Sequence, residues 1–155
     1  MGSQGPRPGI AELAARFEVC AIPAAEWTHE AHLIVGLWHV DRYGADEALV
    51  RLRSGIRRLN ESHGGVNSAT DGYHETITAT YVRLLEQYLD MCPDDLSLVD
   101  RTARFLESPL AAKRALSAFY STELLMSTTA RAGWVEPDLA PLNAAAAFDG
   151  RAVTP

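Results

Sequence analysis

Residues 28–43 have the sequence THEAHLIVGLWHVDRY, which predicts a helix that begins after Thr28 and stops at Gly44. Apolar side chains cover almost its whole circumference and leave a few charged residues, such as Glu30 and Asp41, as its obvious solvent contacts. A helix that is apolar on nearly every side is buried among other elements. We therefore expect this helix to lie at the centre of the fold and to be largely buried.

The rest of the chain is divided by Gly and Pro into further helical lengths, and it has no alternating strand pattern of convincing length. Its 155 residues suffice for one domain that buries roughly two thirds of the surface its unfolded form would expose. The sequence therefore predicts an all-α fold, a compact single-domain helical bundle of about six or seven helices. The predicted helices are 9–22, 28–43, 46–62, 73–91, 96–108, 108–120 and 121–133.

Loops and termini complete the predicted layout. Residues 62–72 (SHGGVNSATDG) form a connection longer than most between helices, and long ordered loops are often functional. Residues 134–142 contain two prolines and should run extended over the surface of the bundle. We predict a flexible N-terminus at 1–9, a helical domain at 10–142 and a frayed C-terminal tail at 143–155.

The charge pattern argues against nucleic acid as a partner. The formal net charge is -6 and the sequence pI is near 5.3. Lys and Arg are scattered apart from short pairs such as Arg57-Arg58. Binding to a phosphate backbone needs clustered positive charge, which this sequence lacks.

The cysteines and the hydropathy pattern indicate a cytoplasmic protein. Cys20 and Cys92 are far apart and in no metal-binding or redox spacing, and the N-terminus has no apolar core of a signal peptide. No apolar run approaches the roughly 18 to 20 residues that a membrane span needs. We expect reduced thiols and no membrane partner.

Three of the five histidines lie on the central predicted helix. His29, His32 and His39 stand at spacings of 3 and 7 and follow one stripe of the helix. A buried imidazole without hydrogen-bond partners costs about 1 to 3 kcal/mol per orphaned polar group. Their common face therefore predicts a polar pocket within the bundle, although His39 is better explained as a core residue.

A fourth histidine lies at the start of the helix predicted from residue 73. In GYHETIT, residues 72–78, His74 shares the inward face of that helix, whereas Glu75 lies about 100° round from it, at the edge of the buried face. A carboxylate in the first turn also stabilises any helix through its dipole. We expect Asp71 or Gly72 to cap the helix while His74 points inward.

Histidines from two facing helices can form a metal site. Two imidazoles at i and i+3, His29 and His32, joined by His74, give three nitrogen ligands and an open position for water or substrate. Glu75 would be a fourth ligand, an orienting group or a general base. Zinc is the simplest divalent metal for three imidazoles, and iron or manganese is favoured if Glu75 ligates.

Two other functions remain open on the same residues. Without a metal, His74 and Glu75 would serve as catalytic acid and base in a lyase, isomerase or dehydratase. Alternatively, the pocket binds a small molecule without chemistry, and the pair His29 and His32 is a hydrogen-bonded pair at a helix start. We favour a small metal-dependent enzyme with a small-molecule substrate, and a homodimer is compatible with the sequence.

Candidate substrate-binding residues surround the predicted pocket. Trp27 and Tyr73 are aromatic rings with a polar handle that would form its walls, although ordinary core packing explains them equally well. Asn67, in the long loop, would lie near the mouth of the pocket. Thr78 shares the inward face of His74.

Three blocks of the sequence resemble a family of small bacterial helical proteins. The blocks are WTHEAHL (27–33), GGVNSATDGYHETIT (64–78) and PDLAPL (137–142). The family pattern is [FW]-[ST]-H-x-x-H-L, then G-G-x-N-[ST]-x-x-x-G-Y-H-E-T-x-T, then P-D-L-x-P-L. The resemblance implies no particular reaction. It does imply that the signature includes His29, His32, Asn67, Tyr73, His74, Glu75, Thr76 and Thr78.

Overall fold

A computed structural model describes residues 9–148, which form one all-α domain and contain no β-strand, as the sequence predicted. Between the α-helices lie three short 3-10 helices, at Ala24–Glu26, Pro109–Ala111 and Ala115–Ala118. The α-helices of these residues are α1 (Ile10–Glu18), α2 (His29–Tyr43), α3 (Ala45–Ser62), α4 (Glu75–Met91), α5 (Leu98–Leu106), α6 (Thr122–Leu125), α7 (Thr128–Ala132) and α8 (Ala145–Phe148).

Helix α2 is the centre of the bundle, as its apolar circumference predicted. It packs against α1, α3, α4 and α5. Its buried apolar side chains include Leu33, Val35 and Leu37, and burying each one stabilises the fold by about 1.5 to 3 kcal/mol. The predicted ends are confirmed: Thr28 Oγ1 accepts the N–H of Ala31 at 3.1 Å, and α2 ends at the glycine that follows it.

Two glycines allow the neighbouring helices to approach closely. A Cβ atom added to Gly55 of α3 would lie 2.4 Å from the ring of Phe17, so α1 packs its aromatic side chain directly on the backbone of α3. A Cβ atom added to Gly36 of α2 would lie 3.3 Å from Leu85 Cδ1 of α4. The contact at Gly55 fixes the distance between α1 and α3, whereas the atom that faces Gly36 is the movable end of a side chain.

The helix predicted at 108–120 is wrong. The structure has two 3-10 helices there, Pro109–Ala111 and Ala115–Ala118. The ring Nε2–H of His29 donates to the Ala111 carbonyl at 3.0 Å. In an α-helix that carbonyl would accept the N–H four residues later, so the tertiary hydrogen bond takes the place of a helical one.

The helix predicted at 121–133 is broken in the same way, into α6 and α7. The carbonyl of Leu125, the last residue of α6, accepts the ring Nε2–H of His74 at 2.7 Å. Ser127 then begins α7 because its Oγ accepts the N–H of Ala130 at 3.1 Å. Tertiary bonds from two histidines therefore accompany both breaks, which local propensity did not predict.

The segment after α7 runs without α-helix over the bundle, as predicted. Thr76 anchors its start: the Thr76 hydroxyl donates to the Gly133 carbonyl at 2.8 Å and accepts the Val135 N–H at 3.2 Å. Gln87 anchors its end by accepting the Ala144 N–H at 2.7 Å. Two residues of α4 therefore hold this segment against the core.

The predicted termini lie only partly within the described residues. Of the N-terminus predicted at 1–9, residues 1–8 fall outside them, as do residues 149–155 of the predicted tail. The rest of that tail is not frayed: α8 brings the Phe148 ring to 4.6 Å from the Tyr88 ring, centroid to centroid. Among the described residues, no helix has the length and apolar character to span a bilayer.

Candidate functional site

An apolar cavity of about 300 Å³ lies between α2, α3 and α4. Most of its wall is aliphatic, and its few polar groups come from two histidines, a threonine and a tyrosine. Concave, largely apolar sites with a few oriented polar groups are typical of small-molecule binding. The lining residues are His29, His32, Leu33, Gly36, Leu52, Ile56, Ile77, Thr78, Tyr81, Val82 and Leu85.

All five histidines of the chain have a ring nitrogen within 3.0 Å of a backbone carbonyl oxygen. A carbonyl can only accept, so that ring nitrogen carries the hydrogen. In the neutral imidazole the other nitrogen is then a bare acceptor. The backbone therefore fixes the neutral tautomer at every histidine.

His32 presents such an acceptor at the cavity. Its Nδ1–H donates to the Thr28 carbonyl at 2.8 Å, and Nε2 has no hydrogen-bond partner among residues 9–148. The residue is exposed at the cavity mouth, yet protein atoms surround most of the imidazole, and this desolvation lowers the pKa of His32 below the ordinary 6.5. At neutral pH the ring is therefore uncharged and Nε2 is free to accept a proton or a hydrogen bond.

His29 lies one turn before His32 and lines the same cavity. Its Nε2–H donates to the Ala111 carbonyl, which leaves Nδ1 as the acceptor of the neutral ring. The predicted pairing of His29 and His32 on one face is thus present in the structure. In each ring, the hydrogen bond to a backbone carbonyl fixes the orientation of the imidazole.

Tyr81 is the polar residue of this cavity that we did not predict as a site residue. Its hydroxyl is buried and has no hydrogen-bond partner among residues 9–148, and burial raises its pKa to about 12. The ring lies 6.2 Å from that of His29, edge on. The signal in the sequence was its position one turn after Thr78 on the inward face of α4.

Two predicted substrate-binding residues belong to this region. Thr78 lines the cavity, and its hydroxyl donates to the His74 carbonyl at 2.9 Å. Trp27 lies behind the cavity, stacked on the His32 ring at 3.8 Å between centroids. The indole Nε1 of Trp27 is buried without a partner in the described chain. Trp27 therefore packs against one face of the His32 ring.

His74 points inward as predicted but does not line the cavity. It is the N-cap of α4: Nδ1 accepts the Ile77 N–H at 3.1 Å, while Nε2–H donates to the Leu125 carbonyl. Both ring nitrogens are used, so neither can ligate a metal or transfer a proton without breaking these bonds. His74 is 7% exposed, and burial lowers its pKa. The predicted caps, Asp71 and Gly72, are therefore corrected to His74.

Glu75 is held in an ion pair rather than as a free carboxylate. Arg53 donates to both of its oxygens, at 2.8 and 2.7 Å, and the Tyr73 hydroxyl donates to Oε1 at 2.8 Å. The Arg53 guanidinium holds the pKa of Glu75 below its ordinary value. A carboxylate so stabilised is a weak base, and Tyr73 packs in this cluster rather than in the wall of the cavity.

Asn67 fixes the long loop instead of lining the cavity. Its Oδ1 accepts the Tyr73 N–H at 2.9 Å and its Nδ2 donates to the Arg57 carbonyl at 3.0 Å. Gly72 has φ of +80°, and a Cβ atom there would lie 2.6 Å from Asn67 Oδ1. The Asn and the last Gly of the loop block therefore serve one tight turn.

The predicted three-histidine centre is not assembled in this structure. His29 and His32 share a cavity, whereas His74 has both nitrogens bonded elsewhere. Between residues 9 and 148, no group of three or more His, Cys, Asp and Glu is arranged to hold a metal ion. A metal at this cavity would have His29 and His32 as protein nitrogen ligands, and the remaining positions would need oxygen ligands or water.

No protein-family model, no curated protein and no solved structure matches this chain. The resemblance of the three sequence blocks to a bacterial family therefore stays a prediction. The fold class rests on the structure, and a function must be argued from the cavity itself.

Proposed function

We propose that the protein binds a small, largely apolar molecule carrying a hydroxyl group in the cavity between α2, α3 and α4, and that His32 acts on that hydroxyl as a general base. The observation that carries the proposal is His32, whose Nε2 has no hydrogen-bond partner in the described chain and whose side chain lines a mostly aliphatic cavity. A hydroxyl both donates and accepts. It complements the imidazole acceptors on one side and the Tyr81 hydroxyl on the other.

The protonation states support acid–base chemistry near pH 7. Desolvation lowers the pKa of His32, so its imidazole is neutral near pH 7 with a lone pair available on Nε2, and it is a weaker base than a free imidazole. The raised pKa of Tyr81 keeps its hydroxyl protonated as a hydrogen-bond donor. An oxygen on the ligand that gains negative charge as its proton moves to His32 would be stabilised by that donor. No cofactor enters this step.

Ligand binding is the first test. Straight-chain alcohols and phenols are titrated against the protein by NMR and by thermal unfolding, with hydrocarbons of equal size for comparison. We expect the hydroxyl compounds to bind more tightly and to raise Tm with concentration. Tyr81→Phe should weaken their binding about fivefold to tenfold, the worth of one hydrogen bond. Tyr43→Phe, a tyrosine on α2 outside the cavity, is the matched control.

A variant that fills the cavity distinguishes binding at this site from binding elsewhere on the protein. Gly36→Met adds a flexible side chain at the cavity wall, where the nearest neighbour is the end of the Leu85 side chain. We expect it to abolish alcohol binding while the far-ultraviolet circular dichroism stays helical. Unchanged affinity in Gly36→Met would refute the assignment of the cavity.

The position of the ring proton on His32 tests whether this residue can act as a general base. Nitrogen-15 NMR of the histidine side chains should give a protonated Nδ1 and a bare Nε2 at neutral pH, and the Nε2 signal should shift when a hydroxyl ligand binds. The control is His63, whose ring Nε2–H donates to the Ile22 carbonyl and which does not line the cavity. A proton found on Nε2 of His32 in the free protein would count against the proposal.

A metal-dependent enzyme is the second candidate, and one observation favours it. His29 and His32 each donate one ring N–H to a carbonyl, which is how metal-ligating histidines are commonly oriented. Protein purified without an affinity tag should then contain zinc, iron or manganese, and His32→Ala should lose it. Equal metal content in His32→Ala and the unaltered protein, or none in either, would leave the cofactor-free chemistry.

We also infer a reducing, cytoplasmic location in a bacterial cell. Support comes from Cys20 and Cys92, which are both free thiols in the structure. Thiol titration of the freshly isolated protein should count two reduced cysteines. Light scattering after size exclusion would decide whether a homodimer forms.

A further inference from the structure

His39 carries an unpartnered acceptor at a second cavity, which α1, α2 and α3 bound. The residue is completely buried, and its Nδ1–H donates to the Val35 carbonyl at 2.8 Å. Nε2 has no hydrogen-bond partner among residues 9–148. The Glu18 carboxylate lies beside it, with Oε2 3.8 Å from Nε2.

Two acceptors face each other at this point. Burial lowers the pKa of His39, so its ring is neutral near pH 7 and Nε2 offers only a lone pair. The Glu18 carboxylate also only accepts. A group with two N–H or O–H donors would satisfy both atoms at once.

The cavity around these atoms has a volume of about 500 Å³, far more than one water molecule requires. It is bounded by α1, α2 and α3, and its wall on α3 supplies Arg51, Ser54 and Arg58. The guanidinium of Arg51 lies over the Tyr43 ring at 3.9 Å, and Arg58 Nη1 donates to Ser54 Oγ at 3.3 Å. Each arginine keeps further N–H donors that could meet an anion.

We propose that this second cavity binds a free α-amino acid, with the ammonium group donating to His39 Nε2 and Glu18 and the carboxylate accepting from Arg51 or Arg58. The wall combines two acceptors, His39 Nε2 and the Glu18 carboxylate, with the guanidinium groups of Arg51 and Arg58, so it offers partners for both charges of a zwitterion. The site is independent of the cavity at His32. Nothing in the function proposed for that cavity requires it.

Calorimetric titration of the full chain with each of the common free amino acids at neutral pH tests the proposal. For the best binder, the N-acetyl derivative removes the ammonium charge and the amide removes the carboxylate. We expect each derivative to bind at least about tenfold more weakly, because each loses a charge-assisted hydrogen bond. Nitrogen-15 NMR should show the Nε2 signal of His39 moving with the amino acid.

Variants tie the binding to this cavity. Glu18→Gln should raise Kd about tenfold, and so should Arg51→Gln or Arg58→Gln, whichever arginine binds the carboxylate. Glu12→Gln is the control, because it removes the same charge from the exposed face of α1 outside the cavity. Glu18 is exposed enough for its replacement to leave the fold intact.

Three outcomes would overturn the proposal. The first is the absence of binding by any amino acid up to about 10 mM, a value far weaker than ordinary ligand affinities, which would leave only water between the two acceptors. The second is equal binding of the N-acetyl derivative. The third is an affinity that Glu18→Gln and Glu12→Gln change alike.

Discussion

The loop and helix start at residues 67–76, here the anchor segment, differ sharply from the cavity wall formed by His29, His32, Thr78 and Tyr81. In the anchor segment both nitrogens of His74 and both oxygens of Glu75 are bonded to other parts of the protein. In the cavity wall the Tyr81 hydroxyl and one nitrogen of His32 have no partner in the described chain.

The comparison separates scaffold from site although both regions are rich in polar residues. Polar groups that are bonded stabilise the fold, whereas a buried polar group without a partner costs about 1 to 3 kcal/mol. Groups of the second kind occur where a water molecule, an ion or a ligand can satisfy them. We therefore attribute stability to the anchor segment and propose the cavity wall as the surface that binds a ligand.

The largest effect should follow from His74→Ala. The change removes the cap of α4 and leaves the Leu125 carbonyl without its donor, so the free energy of unfolding should fall by about 2 to 4 kcal/mol. Urea unfolding measures it. His32→Ala is the control, with a smaller loss of about 1 kcal/mol, because His32 makes one side-chain hydrogen bond, to the Thr28 carbonyl. Equal losses in the two variants would break the distinction between scaffold and site.

Glu75→Gln should have the next largest effect. It removes one charge of the half-buried pair with Arg53, and we expect a loss of about 1 to 3 kcal/mol, moderated because water can reach the arginine. Glu47→Gln, in the exposed pair with Arg51, should cost much less, because water screens that pair. If Glu75 were the general base, this variant would lose activity and keep its stability.

Acidification should weaken the fold through the anchor segment. The pKa of His74 is lowered by burial, so the unfolded chain binds its proton more tightly than the folded one. The contribution is fully present above the ordinary pKa of 6.5 and is lost as pH falls from there through the folded pKa.

His74→Asn isolates this contribution, because asparagine can cap a helix but does not titrate. His32 and His39 have pKa values lowered in the same direction and remain in both proteins. Urea unfolding between about pH 7.5 and 5 should therefore give a shallower decline for His74→Asn than for the unaltered protein. Identical declines would contradict the role of His74.

The smallest effect on stability is expected for Tyr81→Phe. The sign of this effect tests whether the cavity wall differs from the anchor segment. Since the Tyr81 hydroxyl has no partner, removing it should leave stability unchanged or raise it by up to about 1 kcal/mol. Tyr88→Phe is the matched control: the Tyr88 hydroxyl donates to the Arg101 carbonyl at 2.6 Å, and its loss should cost about 1 to 2 kcal/mol. A clear destabilisation by Tyr81→Phe would mean that the hydroxyl is satisfied in the folded protein.

The sequence predicted those parts of the fold that local chemistry determines. The central position of α2, its cap at Thr28 and its stop at Gly44 follow from residues within one or two turns of each other. The break between α6 and α7 does not, since it coincides with a bond from His74, 51 residues away in the chain. Helix propensity cannot predict that a backbone carbonyl will accept a hydrogen bond from a side chain far away in the sequence.

The candidate site was predicted in part for the same reason. The spacing of His29 and His32 sufficed to put them on one face and in one cavity. The inward direction of His74 was also predicted correctly. The sequence did not predict the carbonyl that His74 bonds, the arginine that pairs with Glu75 or the turn that Asn67 stabilises. Direction follows from helical period, whereas partners follow from packing.

By itself, the sequence determined an all-α chain built around one apolar helix, because hydrophobic period and capping residues act over a few residues. Only the tertiary structure decided which polar residues are satisfied and which remain available. That depends on backbone carbonyls and charged groups brought together from distant segments, such as Ala111 against His29 and Arg53 against Glu75. The division between scaffold and site is therefore a property of the folded molecule.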